Sequence, residues 1–165
     1  MSMAKSDGVE RPGKVDMIVI HSIGGPRCVN GAPYFDQVRQ NANFWKEYIE
    51  QQDDKSIHYI IDREGALAKS LSENKVAWHV KGYNSRSIGI ELVNNGDGHD
   101  PYTDSQIATL TKLINDIRER HPITRVAAHS ELDKRNMEES TGCPNARRRV
   151  DPGPLFPWNK IKEGE

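Results

Sequence analysis

The stretch KVDMIVI, residues 14–20, predicts a buried strand and places His21 at the carboxyl end of that strand. Two further stretches have the same character, because each is short, apolar and followed by polar residues. They are SIGIELV at residues 87–93 and RVAA at residues 125–128, and His129 directly follows the second of them. Three stretches of this kind predict strands of one β-sheet.

A hairpin and a helix lie between the first two of these strands. Residues 57–62 (IHYIID) and 66–71 are predicted as strands joined by a tight turn, which Gly65 permits. Residues 41–52 (NANFWKEYIEQQ) place aromatic and apolar side chains at helical spacing, which predicts an amphipathic helix.

A second helix is predicted to begin at Thr103, where Thr103 and Gln106 form a capping-box pair, and to stop before Pro122. Its apolar face is formed by Ile107, Leu110, Leu113, Ile114 and Ile117. Because strands and helices do not strictly alternate along the chain, the predicted fold class is α/β, a single-domain mixed β-sheet flanked by helices.

The size of the chain, 165 residues, is that of one domain. We expect a flexible leader over residues 1–13 and a single domain over residues 14–165, with an inserted polar loop at residues 134–145. A net charge of −1 provides no global field for a polyanion, so nucleic acid is excluded as a partner. The basic run Arg147, Arg148 and Arg149 is expected to be a solvated charge run.

Two cysteines, Cys28 and Cys143, allow one optional bridge, and a reducing compartment is the default expectation. No stretch approaches the ~18 apolar residues of a membrane span, and the amino terminus has no apolar segment typical of a signal peptide. We therefore expect a cytoplasmic monomer without membrane insertion.

The two strand-end histidines, His21 and His129, indicate a metal site, because neutral imidazole is a common zinc ligand and strand ends are rigid supports. A catalytic zinc site has three protein ligands and keeps a fourth position for water. The sequence offers two candidates for the third ligand downstream, Asp151 in VDPGP and Cys143 in GCPN. Both residue types bind zinc.

A carboxylate inside an apolar strand is unusual, and Glu91 in SIGIELV is one. It is either an edge-strand charge facing water or a general base whose pKa is raised by partial burial. Trp78 and His79 in VAWHV are either packing residues or the wall of a cleft. One arginine of the run at residues 147–149 could stabilise an oxyanion beside a metal.

Six segments in order resemble the zinc amidases of the second N-acetylmuramoyl-L-alanine amidase class. This class includes phage lysozyme-type amidases, cytosolic muropeptide-recycling amidases and peptidoglycan-recognition proteins. The segments are IVIHS (18–22), HYIIDREG (58–65), AWH (77–79), SIGIELV (87–93), AAHSELD (127–133) and VDPGPLFPW (150–158).

The resemblance implies an enzyme that hydrolyses the amide bond between N-acetylmuramic acid and L-alanine in peptidoglycan or its fragments. It also implies Zn²⁺ as cofactor at the carboxyl ends of the strands, with His21, His129 and Asp151 as ligands. Glu91 falls on the catalytic glutamate of the GIEL motif. The residues that we expect to be catalytic are therefore Glu91 and Arg149, and Trp78 and His79 are candidates for substrate binding.

Three features separate this chain from the family pattern. Arg149 stands where the recycling-type motif has a lysine, and arginine keeps the charge but is a poor proton donor. The loop at residues 134–145 is longer than usual, which leaves Cys143 open as the third ligand. Ile57 stands where phage lysozyme-type members have a catalytic tyrosine, so Glu91 is expected to act alone as the base.

The resemblance leaves two questions of function open. A non-catalytic peptidoglycan-binding receptor of the same fold is the alternative to an enzyme, and zinc binding discriminates the two. A phage-type endolysin and a recycling amidase are both compatible with the sequence. If the chain is an endolysin, we expect another factor to release it to the cell wall.

Overall fold

The computed structural model describes residues 8–162 of the chain. Its strands, in chain order, are β1 (Val9–Glu10), β2 (Met17–Ser22), β3 (Pro26–Val29), β4 (Ala32–Phe35), β5 (Tyr59–Ile61), β6 (Leu67–Lys69), β7 (Lys75–Val76), β8 (Ser87–Leu92) and β9 (Arg125–Ala128). Its α-helices are α1 (Ala42–Glu50), α2 (Asp104–Arg120), α3 (His129–Leu132) and α4 (Trp158–Lys162), and short 3₁₀ turns lie at Asn84–Arg86 and Glu139–Thr141. The predicted α/β fold class is confirmed.

The central sheet has five strands in the order β6-β5-β8-β2-β9. Strands β5, β8, β2 and β9 are parallel, and β6 is antiparallel to β5 at one edge. The tight turn predicted between β5 and β6 is present, and Gly65 takes it with φ +85°. The sheet is therefore mixed, as the sequence predicted.

The register of the parallel strands brings their carboxyl ends together. His21 on β2 lies opposite Glu91 on β8, and Ile20 lies opposite Ala128, the last residue of β9. His129 follows Ala128 and opens α3, so it lies one step beyond the paired strands on the same edge. Three candidate residues distant in sequence are thus side by side.

The main core fills one face of the sheet under α2. Ile18, Ile20, Ile88 and Ile90 project towards this helix and are fully buried. The apolar helix face predicted from the sequence packs on them, and its residues are Ile107, Leu110, Leu113, Ile114 and Ile117. The opposite face of β2 and β8 is left for the polar side chains of the candidate site.

The start of α2 differs in one detail from the predicted capping box. Thr103 caps the helix by accepting the amide hydrogen of Gln106, as predicted. The Gln106 side chain, however, is fully buried and donates to the carbonyl oxygens of Ile61 and Val93. These carbonyls are buried where two strands end, so satisfying them outweighs closing the capping box.

Of the leader predicted over residues 1–13, residues 8–13 belong to the described part of the chain and residues 1–7 lie outside it. Strand β1 pairs antiparallel with β7. The Arg11 guanidinium donates to the carbonyl oxygens of Glu73, Asn84 and Ser85. Strand pairing and side-chain hydrogen bonds thus connect this part of the predicted leader to the rest of the fold.

A second hairpin, β3 and β4, was not predicted. Its turn is formed by Asn30 (φ 50°) and Gly31 (φ +79°), and an Asn-Gly pair between short strands is a strong hairpin signal in a sequence. Cys28 on β3 forms a disulfide with Cys143 in the 134–145 loop. The optional bridge is formed, and it attaches the inserted loop to this hairpin.

Among residues 8–162, no helix has both the length and the apolar character needed to cross a membrane. The last helix, α4, follows Pro157 directly.

Candidate active site

Three buried side chains converge at the carboxyl edge of the sheet. His21 Nδ1 lies 3.0 Å from His129 Nδ1, and Asp151 Oδ2 lies 3.1 Å from each of these nitrogens. A proton can join only two of the three atoms, whereas a cation can bind one lone pair from each. Two nitrogens and one carboxylate oxygen are a typical donor set for catalytic zinc, and bonds of ~2.0–2.1 Å in a tetrahedral site require separations of ~3.3 Å. The residues therefore fit a zinc ion.

Different elements hold the three side chains in place. His21 is on β2, which lies between β8 and β9 in the sheet, and His129 is the first residue of α3. Asp151 is in a turn whose next residue, Pro152, accepts a hydrogen bond of 2.6 Å at its carbonyl oxygen from the Tyr102 hydroxyl. The Ser130 amide donates to the Asp151 carbonyl oxygen. The turn is thus fixed to both α3 and the segment before α2.

The charge states of this cluster suit metal binding. Burial lowers the pKa of His21 to about 4, so its imidazole is neutral at neutral pH. Burial alone would raise the pKa of the Asp151 carboxyl, but the contacts with His129 and His21 bring it below its usual range. A neutral imidazole beside an ionised carboxylate presents lone pairs to a cation.

His79 was predicted as a substrate-binding residue, and the structure shows that it contacts His21. His79 Nδ1 lies 2.8 Å from His21 Nε2, the ring nitrogen that faces away from Asp151. His79 Nε2 lies 2.9 Å from the Ser87 hydroxyl. His79 also lines the cleft beside the site, so a role in substrate binding stays a prediction.

Glu91 also lies at the carboxyl edge, on the strand next to His21. Because side chains alternate along a strand, it shares its strand face with Gly89, away from the helix α2. One of its carboxyl oxygens, Oε1, is buried and has no hydrogen-bond partner among the described residues. Burial raises the pKa of Glu91 to about 8; the negative charge of Asp151 adds to this rise, and Lys55 and Arg149 oppose it.

A cleft of about 320 Å³ opens over these residues. Trp78 and Arg149, both predicted as site residues, line it together with Lys55 and Asn84. Lys55 and Asn84 were not predicted, because neither belongs to a motif or a periodic pattern. A second cavity of about 220 Å³ shares Glu91 and Lys55 with the first and extends past Trp45.

The basic run at residues 147–149 divides into two parts. Arg147 donates to the carbonyl oxygens of Ser130 and Asp133, and Arg148 forms an ion pair with Glu138. Arg149 is exposed at the cleft and has neither a hydrogen bond nor an ion pair within residues 8–162. Arg147 is exposed, as a solvated charge run predicts, whereas Arg148 is half-buried and contacts the inserted loop through Glu138.

Cys143, the alternative third ligand, is bonded to Cys28 and is absent from the lining of the cleft. A sulfur atom in a disulfide carries no thiolate charge for a metal. Of the two candidates, the structure places only Asp151 beside the two histidines.

Comparison with known proteins gives one consistent result. The family model described as N-acetylmuramoyl-L-alanine amidase matches residues 11–154. A 1,6-anhydro-N-acetylmuramyl-L-alanine amidase, AmpD of Citrobacter freundii, is 30% identical over 161 residues, which cover 88% of this chain and 78% of that protein. The endolysin of Enterobacteria phage K11 is 31% identical over 83 residues, which cover 48% of this chain and 55% of the endolysin.

A solved structure has the same fold. It is the N-acetylmuramyl-L-alanine amidase AmiD from E. coli in complex with the substrate anhydro-N-acetylmuramic acid-L-Ala-D-gamma-Glu-L-Lys. The two folds superpose with a TM-score of 0.67 over 92% of this chain and 57% of that chain. With 23% sequence identity, this likeness supports the fold alone.

Proposed function

Because the chain belongs to the N-acetylmuramoyl-L-alanine amidase family and is an enzyme of that class, we propose that its catalytic site is a zinc centre held by His21, His129 and Asp151. The reaction is hydrolysis of the amide bond between N-acetylmuramic acid and L-alanine in peptidoglycan or its fragments. One observation carries the proposal: three buried ligand atoms lie 3.0–3.1 Å apart at the floor of a cleft.

A zinc ion bound here would polarise the amide carbonyl and lower the pKa of a bound water towards ~7. Glu91 is proposed to accept the proton of the attacking water at Oε1, which is buried and has no hydrogen-bond partner within residues 8–162, and to pass a proton to the leaving amine of L-alanine. The raised pKa of Glu91, about 8, suits both steps, since the group can hold and release a proton near neutral pH.

Arg149 is proposed to stabilise the negative charge that develops on the amide oxygen. Its guanidinium is at the cleft and has no anionic partner among the described residues, so its charge is available to the substrate. Removing one such donor in comparable sites costs ~3–4 kcal/mol. Trp78 is proposed to form part of the wall that holds the substrate.

Metal analysis and activity on a soluble muropeptide test the zinc centre. We expect one zinc per chain, loss of activity with a chelator and recovery when zinc is returned. Asp151→Ala should lose both zinc and activity, whereas Cys143→Ser is the matched control and should keep both. The reverse result would make Asp151 a structural residue and overturn the assignment.

The receptor alternative requires an incomplete ligand set. In relatives of this kind, loss of a zinc ligand accompanies loss of activity, whereas this chain has all three candidate ligands in contact. No observation on the described residues favours the receptor.

The physical form of the substrate is a separate proposal. We propose that the chain acts on the intact wall, as a phage-type endolysin does. The Cys28–Cys143 disulfide supports this location, because disulfides persist in oxidising compartments and are rare in the cytosol. The cytoplasmic location expected from the sequence is the competing proposal. Higher turnover on intact sacculi than on soluble anhydro-muropeptides would support the wall, and the opposite ratio would support the cytosolic role.

A further inference from the structure

A half-buried histidine, His79, contacts a proposed zinc ligand and has no part in the reaction scheme. His79 packs edge-on against His21, with ring centroids 5.0 Å apart, and it contacts the ring nitrogen of His21 that faces away from Asp151. His58 is fully buried and lies nearby, but its ring is hydrogen-bonded to the backbone: Nε2 donates to the Lys75 carbonyl oxygen and Nδ1 accepts from the Gly89 amide. Of these two histidines, it is therefore His79 that is hydrogen-bonded to a proposed zinc ligand.

His21, His79 and Ser87 form a row of hydrogen bonds that ends at the Tyr83 carbonyl oxygen. This oxygen fixes the direction of each hydrogen bond in the row. The Tyr83 carbonyl oxygen can only accept, and it lies 2.8 Å from the Ser87 hydroxyl, which has one proton to donate. The Ser87 oxygen must therefore accept from His79, so Nε2 of His79 carries a proton. Within residues 8–162 the hydrogen-bond partners of the His79 ring are Ser87 and His21, so no carboxylate stabilises a second ring proton, and the ring is neutral with a bare Nδ1.

The same reasoning fixes the next ring. A bare Nδ1 on His79 can only accept, so the proton of this hydrogen bond belongs to Nε2 of His21. A neutral His21 with a proton on Nε2 has a lone pair on Nδ1. That lone pair points to the place where Asp151 and His129 direct their own ligand atoms.

The backbone provides the space for this arrangement. A Cβ atom at residue 89 would lie 2.6 Å from His79 Nδ1 and 2.5 Å from Ile57 Cδ1, so only glycine leaves room for the ring at this height above the sheet. Gly89 is the glycine of the SIGIEL strand, two residues before Glu91. The strand that carries the proposed base thus also accommodates His79.

We propose that His79, anchored by Ser87, is a positioning residue that holds His21 in the tautomer with the proton on Nε2 and so presents a bare Nδ1 to zinc. This inference deepens the proposed zinc function and rests on it. Outer partners of metal-binding histidines fix the tautomer and ring orientation, and their loss weakens metal binding ~10–100-fold.

Zinc affinity measured by competition with a chelator tests the proposal on the whole chain. His79→Phe keeps a ring of similar size but removes the acceptor, and we expect zinc binding to weaken ~10–100-fold. His79→Asn restores an acceptor oxygen near the position of Nδ1 and should recover most of the affinity. His99→Phe, at an exposed histidine that lines neither cavity beside the site, is the matched control and should bind zinc like the wild type.

Two outcomes overturn the proposal. Either His79→Phe binds zinc as tightly as the wild type, or His79→Asn is as weak as His79→Phe, which would show that the ring acts by its shape and not as an acceptor.

The positions of the ring protons of His21 and His79 can be measured directly in the metal-free wild type. This test therefore does not require a variant that folds. Long-range ¹H–¹⁵N NMR spectra of the histidine rings should show protons on Nε2 of both His21 and His79. A proton on Nδ1 of His21, shared with Asp151, would refute the proposal. If the wild type binds no zinc, the proposed function fails, whereas this spectrum still reports on His79.

Discussion

Replacing Glu91 by glutamine should change how the stability of the metal-free protein depends on pH. The pKa of Glu91 rises from 4.5 to about 8 on folding, chiefly because the carboxyl is buried. Folded protein therefore binds this proton more tightly than unfolded protein does. The stability that the protonated carboxyl contributes is complete below pH 4.5 and is lost as the pH rises through 8.

The size of the effect follows from the two pKa values. Between these two pKa values, the free energy of unfolding falls by ~1.36 kcal/mol for each pH unit. Because the slope is smaller near each pKa, the total loss from about pH 5 to about pH 7.5 is about 3 kcal/mol. Glu91→Gln has no charge to bury and should lack this loss. From about pH 5 to about pH 7.5, the free energy of unfolding of the variant should therefore increase by about 3 kcal/mol relative to that of the wild type. Buried histidines such as His21 titrate in both proteins, so their contribution largely cancels in the difference.

Urea denaturation of both proteins with a chelator present measures this difference. The main core under α2 contains no residue of the proposed zinc site, so we expect the metal-free protein to stay folded. If the difference in unfolding free energy between the two proteins changes by less than about 1 kcal/mol over the window, the carboxyl ionises freely in the fold. Its raised pKa, and the argument for Glu91 as a proton carrier near neutral pH, would then be refuted.

Three further predictions concern turnover and the disulfide. Glu91→Ala should lower turnover ~100-fold or more while zinc stays bound, and an unchanged rate would mean that another group activates the water. Arg149→Ala should lower turnover by about two to three orders of magnitude at unchanged zinc content, whereas Arg149→Lys should keep part of the rate; equal rates for the two would argue against a role for the charge. Cys28→Ser should lower the free energy of unfolding by about 2–5 kcal/mol, because the bridge to Cys143 closes a loop of more than 100 residues, and a denaturation curve like that of the wild type would contradict this.

Much of the fold was predictable because its signals are local. The apolar runs before His21 and His129 predicted β2 and β9, and the positions of both strand ends followed from the polar residues after them. The face of α2 was predicted from helical spacing, and Gly65 predicted the turn of the β5–β6 hairpin. The β3–β4 hairpin, which was not predicted, has an equally local signal, since Asn30 and Gly31 form its turn.

Other features depend on contacts between distant segments. Gln106 was expected at a helix cap and instead satisfies two carbonyl groups at strand ends, which no local pattern specifies. Arg148 was expected in solvent, and it is half-buried and paired with Glu138 of the inserted loop. His79 was expected at the cleft wall, and its contact with His21 spans 58 residues.

The sequence by itself determined the kind of residues at the site: histidines at two strand ends, a carboxylate inside an apolar strand and an acid or thiol downstream. Local apolar runs and their polar ends contain that information. Only the tertiary structure decided that Asp151 lies beside His21 while Cys143 is bonded to Cys28. These pairs are 130 and 115 residues apart, and the register of parallel strands and the closure of long loops bring them together.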